Sequence, residues 1–130
     1  MKVKKVTLGI MDPAQGLKEF AAAARSIQAG HVPSARKDAV YFVSVDAFQS
    51  VLTTRRLELI RTIRERRPES VYRLAHMLDR HLKNVQQDVA LLERLGLVSV
   101  SRRKSARRQT VPRVHYDRLQ VQIPIHIPLG

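Results

Sequence analysis

The chain has 130 residues, 24 Lys plus Arg against 11 Asp plus Glu, a formal net charge of +13, 44% hydrophobic residues, and neither Cys nor Trp. That length supports one ordinary core, and the missing cysteines exclude a disulfide-dense scaffold. A charge this lopsided repels itself unless something anionic neutralises it, which makes nucleic acid the expected partner. The mainly apolar run Ala39 to Val45 falls far short of the ~20 residues of a membrane span, and the basic start Met1 to Lys5 leads into no signal-peptide block. A soluble cytoplasmic protein with no membrane partner is therefore expected.

Near the N-terminus, Val6, Leu8 and Ile10 alternate with Lys5, Thr7 and Gly9, a short strand pattern with one apolar face. A helix is predicted next, with Asp12 as cap, Pro13 in the first turn, Leu17, Phe20, Ala21, Ala24 and Ile27 on one side, and Gly30 past its end. Ala39 to Val43 reads as a second strand, and Val45 to Leu52 as a short helix capped by Ser44.

From Thr53 the pattern is three helices in quick succession. Thr54 can cap the first, whose expected apolar face is Leu57, Leu59, Ile60 and Ile63, and which should fail before Pro68. Ser70 caps a second helix bearing Val71, Leu74, Ala75 and Leu78. Asp79 can cap the third, with Leu82, Val85, Val89 and Leu92 as its buried stripe and Gly96 supplying a left-handed stop. Leu97 to Ser101 then alternates as a strand, a cationic loop follows, and Thr110 to Tyr116 returns as a second strand with an irregularity expected at Pro112. Helix, helix, helix and hairpin is the order of a winged helix-turn-helix.

The runs Leu52-Thr53-Thr54-Arg55-Arg56-Leu57-Glu58-Leu59-Ile60, Pro68-Glu69-Ser70-Val71-Tyr72-Arg73-Leu74-Ala75, Val85-Gln86-Gln87-Asp88-Val89 and Leu92-Glu93-Arg94-Leu95-Gly96-Leu97-Val98 resemble small prokaryotic winged-helix transcription regulators of the MarR and ArsR kind. Among these, the chain looks closest to a family of short predicted DNA-binding regulators sometimes encoded beside a toxin of the TumE type. The resemblance covers residues 52–118 and implies a DNA-binding regulator, with a small toxin protein as an alternative partner. The chain departs from the metal-sensing members in having no Cys and no paired-His site, so no inducer metal is implied.

Residues 53–118 hold 17 of the 24 cationic and 7 of the 11 acidic side chains, a net +10. At roughly 100° per residue, the third helix sets Lys83, Gln87, Ala90 and Arg94 opposite its apolar stripe, with Asn84 and Gln86 on the flanks. Lys83, Asn84, Gln86 and Gln87 are side chains that hydrogen-bond guanine and adenine edges in a major groove. Asp88, nearer the stripe, calls for a partner within the protein such as a neighbouring Arg. Arg102, Arg103, Lys104, Arg107 and Arg108 sit between two strands, where a protruding wing reaches phosphates or a narrow minor groove. Arg55, Arg56, Arg73 and Arg80 are candidates for further backbone contacts.

Histidines stand at 31, 76, 81, 115 and 126. His76 and His81 are five apart across a predicted turn, which is not the spacing of a helical zinc pair, so neither a metal nor another cofactor is expected. With no glycine-rich phosphate loop and no nucleophile elbow, enzymatic activity is not expected either.

In the tail, Leu119, Val121, Ile123, Ile125 and Ile127 alternate with Gln120, Gln122, Pro124, His126 and Pro128. Prolines on one face point to an edge strand or a docked segment, covered by the N-terminal region or a second subunit. The expected organisation is α+β: an N-terminal strand–helix–strand unit over 1–50 that dimerises, a winged helix-turn-helix over 51–118, and an amphipathic tail over 119–130. The expected function is a homodimeric, sequence-specific double-stranded DNA-binding regulator associated with the nucleoid. An antitoxin that also neutralises a small toxin, and a non-specific architectural nucleic-acid binder, are the alternatives.

Overall fold

The computed structural model describes residues 4–11, 31–32, 38–103 and 109–125. Among them run β1 (Lys5–Ile10), β2 (His31–Val32), β3 (Ala39–Phe42), α1 (Val45–Val51), α2 (Thr54–Arg66), α3 (Val71–Leu78), α4 (Leu82–Arg94), β4 (Ser99–Arg103), β5 (Gln109–Arg113) and β6 (Arg118–Gln122), a mixed α+β arrangement. The chain divides into two compact units, Met1–Thr53 with Tyr116–Gly130, and Thr54–His115.

The first unit is built on a four-stranded sheet in the order β2-β3-β1-β6. β1 is parallel to both β3 and β6, while β2 runs antiparallel to β3. The alternation read from β1 suggested one buried face, yet Val6, Thr7, Leu8, Gly9 and Ile10 are all buried. Strands flanked by parallel neighbours on both sides are commonly covered on both faces, and β1 follows that rule. The short strand β2 carried too little pattern to be anticipated, and the helix expected over residues 13–29 lies outside the described residues.

Ser44 caps α1 as its sequence position suggested, its Oγ accepting from the Ala47 N–H at 3.1 Å. Phe48 of α1 then meets Phe42 of β3 edge to face, with ring centroids 5.5 Å apart. Gly9 lies opposite Tyr41 in the β1–β3 register, and a Cβ there would fall 2.8 Å from Cδ1 and Cε1 of the Tyr41 ring. Gly9→Ala is expected to destabilise the fold by about 1–3 kcal/mol by forcing that ring aside. Chemical denaturation should show the loss, and Tyr41→Ala in the same chain should recover most of it relative to Tyr41→Ala alone.

The tail is part of this unit. β6 aligns Lys5 with Arg118, Val6 with Leu119 and Leu8 with Val121, and the Asp117 N–H donates to the Lys4 carbonyl at 2.7 Å. An edge strand is present over Arg118–Gln122 but stops before Pro124, residues 126–130 lie outside the described residues, and Val121, Ile123 and Ile125 stay exposed. Just before it, Tyr116 is buried, and the loss of water pushes its phenol above the ordinary value.

In the second unit, Leu59 and Ile63 of α2, Leu74 of α3, Val85 and Leu92 of α4, and Leu97 form the fully buried centre. Leu57 is exposed, contrary to expectation. The buried residues of α2 centre near Ile63, and Leu57 lies about 120° around the helix from it. α2 ends before Pro68, with Arg67 at φ 46 and its N–H donating to the Ile63 carbonyl at 3.1 Å. Ser70 caps α3 by accepting from the Arg73 N–H at 3.0 Å.

Asp79 does not cap α4. It closes α3 in the left-handed region at φ 52, and the following Arg80 N–H donates back to the Ala75 carbonyl at 3.0 Å. His81 takes the N-cap of α4 without a side-chain hydrogen bond. An aspartate tolerates the left-handed conformation because its short polar side chain bonds locally, so the same residue suits either end of a helix turn. At the other end of α4, Gly96 adopts φ 80 and the Leu97 N–H donates to the Leu92 carbonyl at 2.9 Å, the expected stop.

β4 and β5 form an antiparallel pair aligning Ser99 with Arg113 and Arg103 with Gln109. Both strands sit closer to the loop than the sequence suggested, and Pro112 fits opposite Val100 without interrupting the register. A two-stranded ribbon leaves half of each strand's N–H groups outside the ladder, which is where proline is tolerated. The Arg113 guanidinium fastens this pair to the helices, donating from Nη1 to the Pro68 carbonyl at 2.7 Å.

Candidate nucleic-acid interface

α4 is amphipathic with one ionic exception on its buried side. Val85, Val89 and Leu92 face the core, and Asp88 is buried among them. Asp88 accepts from Arg56 Nε at 3.0 Å on Oδ1 and from Arg80 Nη2 at 2.7 Å on Oδ2. The three side chains are only 12%, 23% and 17% exposed, respectively. One carboxylate thus ties α4 to α2 and to the α3–α4 turn. The 2.7 Å bond lies in the short range of charge-assisted contacts, and the pair adds directional constraints to the apolar packing of the buried side of α4.

Lys83, Asn84, Gln86, Gln87, Ala90 and Arg94 are all exposed. The four residues read as base-contacting candidates therefore share one solvent-facing side of a helix that is fixed from behind. Leu82, expected in the buried stripe, is exposed instead. It is the first residue of α4 and lies about 60° from Val85 on the far side of Val89, where no preceding turn covers it.

The other cationic candidates separate into two groups. Arg56 and Arg80 point at Asp88, which turns their bonding nitrogens away from solvent, and Arg80 Nη1 is buried with no hydrogen-bond partner among the described residues. Arg55 and Arg73 remain exposed. Arg102 on β4 is mostly exposed and stands 3.7 Å from Glu93 at the end of α4, an ion pair too long and too solvated to hold it firmly. Arg103 closes β4; Lys104, Arg107 and Arg108 lie outside the described residues.

Between α4 and the β4–β5 pair runs a groove of about 470 Å³ bordered by Ser70, Tyr72, Leu82, Gln86, Arg102 and Thr110. Tyr72 was not singled out from the sequence. It is exposed beside His76, with ring centroids 4.9 Å apart, and its position about 160° around α3 from Leu74 and about 100° from Val71 was the available signal. Among the described residues no three His, Asp or Glu side chains cluster to hold a metal, and no helix is long and apolar enough to cross a membrane.

The architecture is thus a mixed α+β chain in which a three-helix unit with a β-hairpin interrupts a sheet-based unit. Residues 51–121 match the family HVO_A0114, and the chain belongs to that family. The matched stretch begins at the last residue of α1 and ends within β6, taking in the whole second unit. No curated protein and no solved structure matches the chain.

Proposed function

We propose that the second unit is a winged helix-turn-helix and that the protein is a sequence-specific double-stranded DNA-binding regulator, acting as an autoregulating repressor at the nucleoid. The observation that carries this reading is the display of Lys83, Asn84, Gln86 and Gln87 on the open side of a helix clamped from behind by Asp88. In this mechanism α4 enters the major groove. Its amide side chains pair with adenine edges and Lys83 with guanine, while Arg55, Arg73 and the arginines around the hairpin hold phosphates and fix the register. Arg56 and Arg80 act indirectly, by orienting α4. Two copies related by a two-fold axis would read half-sites about 34 Å apart.

Arg102 is the clearest phosphate candidate within the described residues. Arg102→Ala is expected to weaken binding to every duplex about equally and to flatten the salt dependence of the binding constant by about one unit of logarithmic slope. Fluorescence anisotropy titrations across a salt series, on the DNA upstream of the gene and on a shuffled duplex, measure both effects. A wild-type chain that binds the two duplexes equally would instead be a non-specific architectural protein. A second reading, an antitoxin that also sequesters a small toxin protein, is favoured by the exposed Val121, Ile123 and Ile125. It requires a stable complex with such a partner on co-expression.

A further inference from the structure

We propose that β6 is a self-association edge, pairing antiparallel with β6 of a second copy about a two-fold axis through Val121. The inference rests on the homodimer of the reading above and is independent of its DNA partner. β6 is an outer strand of the sheet, with β1 on one side and no strand on the other among the described residues. An outer strand offers a row of backbone donors and acceptors, and proteins blunt such edges with charge, bulges or a cover. Here Leu119 to Ile125 contains no charged side chain in a chain of net charge +13. Two strongly cationic copies repel least where neither presents a formal charge, and in β6 only Arg118, its first residue and outside the 119–123 pairing proposed here, is charged.

The side-chain pattern is self-complementary. In the β1 register, Leu119 and Val121 align with Val6 and Leu8, and through β1 with Val40, so they continue the apolar face that Phe42 shares. Directly opposed residues of an antiparallel pair lie on the same face, and a two-fold axis perpendicular to the sheet keeps each face with its like. With that axis through Val121, Leu119 meets Ile123 of the second copy and Val121 meets its own counterpart. On the other face, Gln120 meets Gln122, and amide side chains can hydrogen-bond across the strands. Val121, Ile123 and Ile125 are 47%, 39% and 86% exposed in one copy. The pairing covers the first two and extends one apolar face through both sheets.

The absence of Cys makes the register testable without background. Val121→Cys is expected to give a disulfide-linked dimer in high yield under mild oxidation, with no DNA present. Gln120→Cys and Gln122→Cys should each stay largely uncrosslinked alone and crosslink when mixed. Light scattering after size exclusion should give a dimer for the wild-type chain and a folded monomer for Val121→Arg, which melts lower and without the concentration dependence of the dimer. If Val121→Arg fails to fold, the crosslinking pattern decides. A monomeric wild-type chain, or a dimer that crosslinks no better at 121 than at 120, overturns the proposal. A monomer that still selects its duplex would overturn this edge and leave the DNA reading intact.

Discussion

Asp88→Ala is expected to cost about 3–5 kcal/mol of stability, as much as truncating a fully buried leucine of the second unit. The carboxylate bonds two guanidinium groups that are each more than three-quarters covered. Removing it takes away the counter-charge shared by two largely desolvated guanidinium groups of like charge. The penalty comes from stranding those charges and exceeds the net contribution of the ionic cluster to stability. Replacing all three residues together with well-packed apolar ones, Arg56→Met, Asp88→Leu and Arg80→Met, should therefore recover most of the loss. Urea denaturation of the single and triple variants, compared at equal slope, separates the two effects. A single variant within ±0.5 kcal/mol of wild type would mean that the clamp does not hold α4.

Gln87→Ala is expected to leave stability within ±0.5 kcal/mol, as for other exposed positions, while changing the preferred DNA sequence. A bidentate amide–adenine pair discriminates by about 1–3 kcal/mol, so preference at the contacted base should relax by roughly 5–150-fold. Selection from a random duplex pool reads the preference directly. The contrast with Arg102→Ala is diagnostic: one variant alters the sequence chosen, the other weakens all sequences alike. If Gln87→Ala lowered affinity uniformly, α4 would be touching backbone and not bases.

Elements governed by local chemistry were the legible ones. Ser44 and Ser70 cap the helices they precede, Gly96 takes the left-handed position, and α2 stops ahead of Pro68. The open side of α4 was also readable, because helical periodicity alone sets Lys83 and Gln87 opposite Val85 and Val89. Asp88 could be marked as needing a partner, since a carboxylate beside an apolar stripe must be satisfied. That there would be two partners, from α2 and from the α3–α4 turn, depends on packing.

The departures arose where tertiary context decides. Leu57 and Leu82 are apolar and near their stripes, but whether a neighbouring element reaches them is not encoded in spacing. Asp79 suits a helix start and a left-handed helix end equally well. β6 carries an edge-strand pattern, yet its parallel alignment on β1 joins residues more than a hundred positions apart. No local signal specifies such a pairing. For the candidate site the face was visible and the clamp behind it only half visible.

The measurement that bears most directly on the role of α4 is nuclease protection of the duplex upstream of the gene, by the wild-type chain and by a Lys83→Ala, Gln87→Ala double variant with the same melting transition. A discrete protected stretch with wild type, lost with the double variant while weak unspecific retention persists, is the expected result. An identical footprint from both proteins, or no footprint from wild type at low salt, would contradict base reading by this helix.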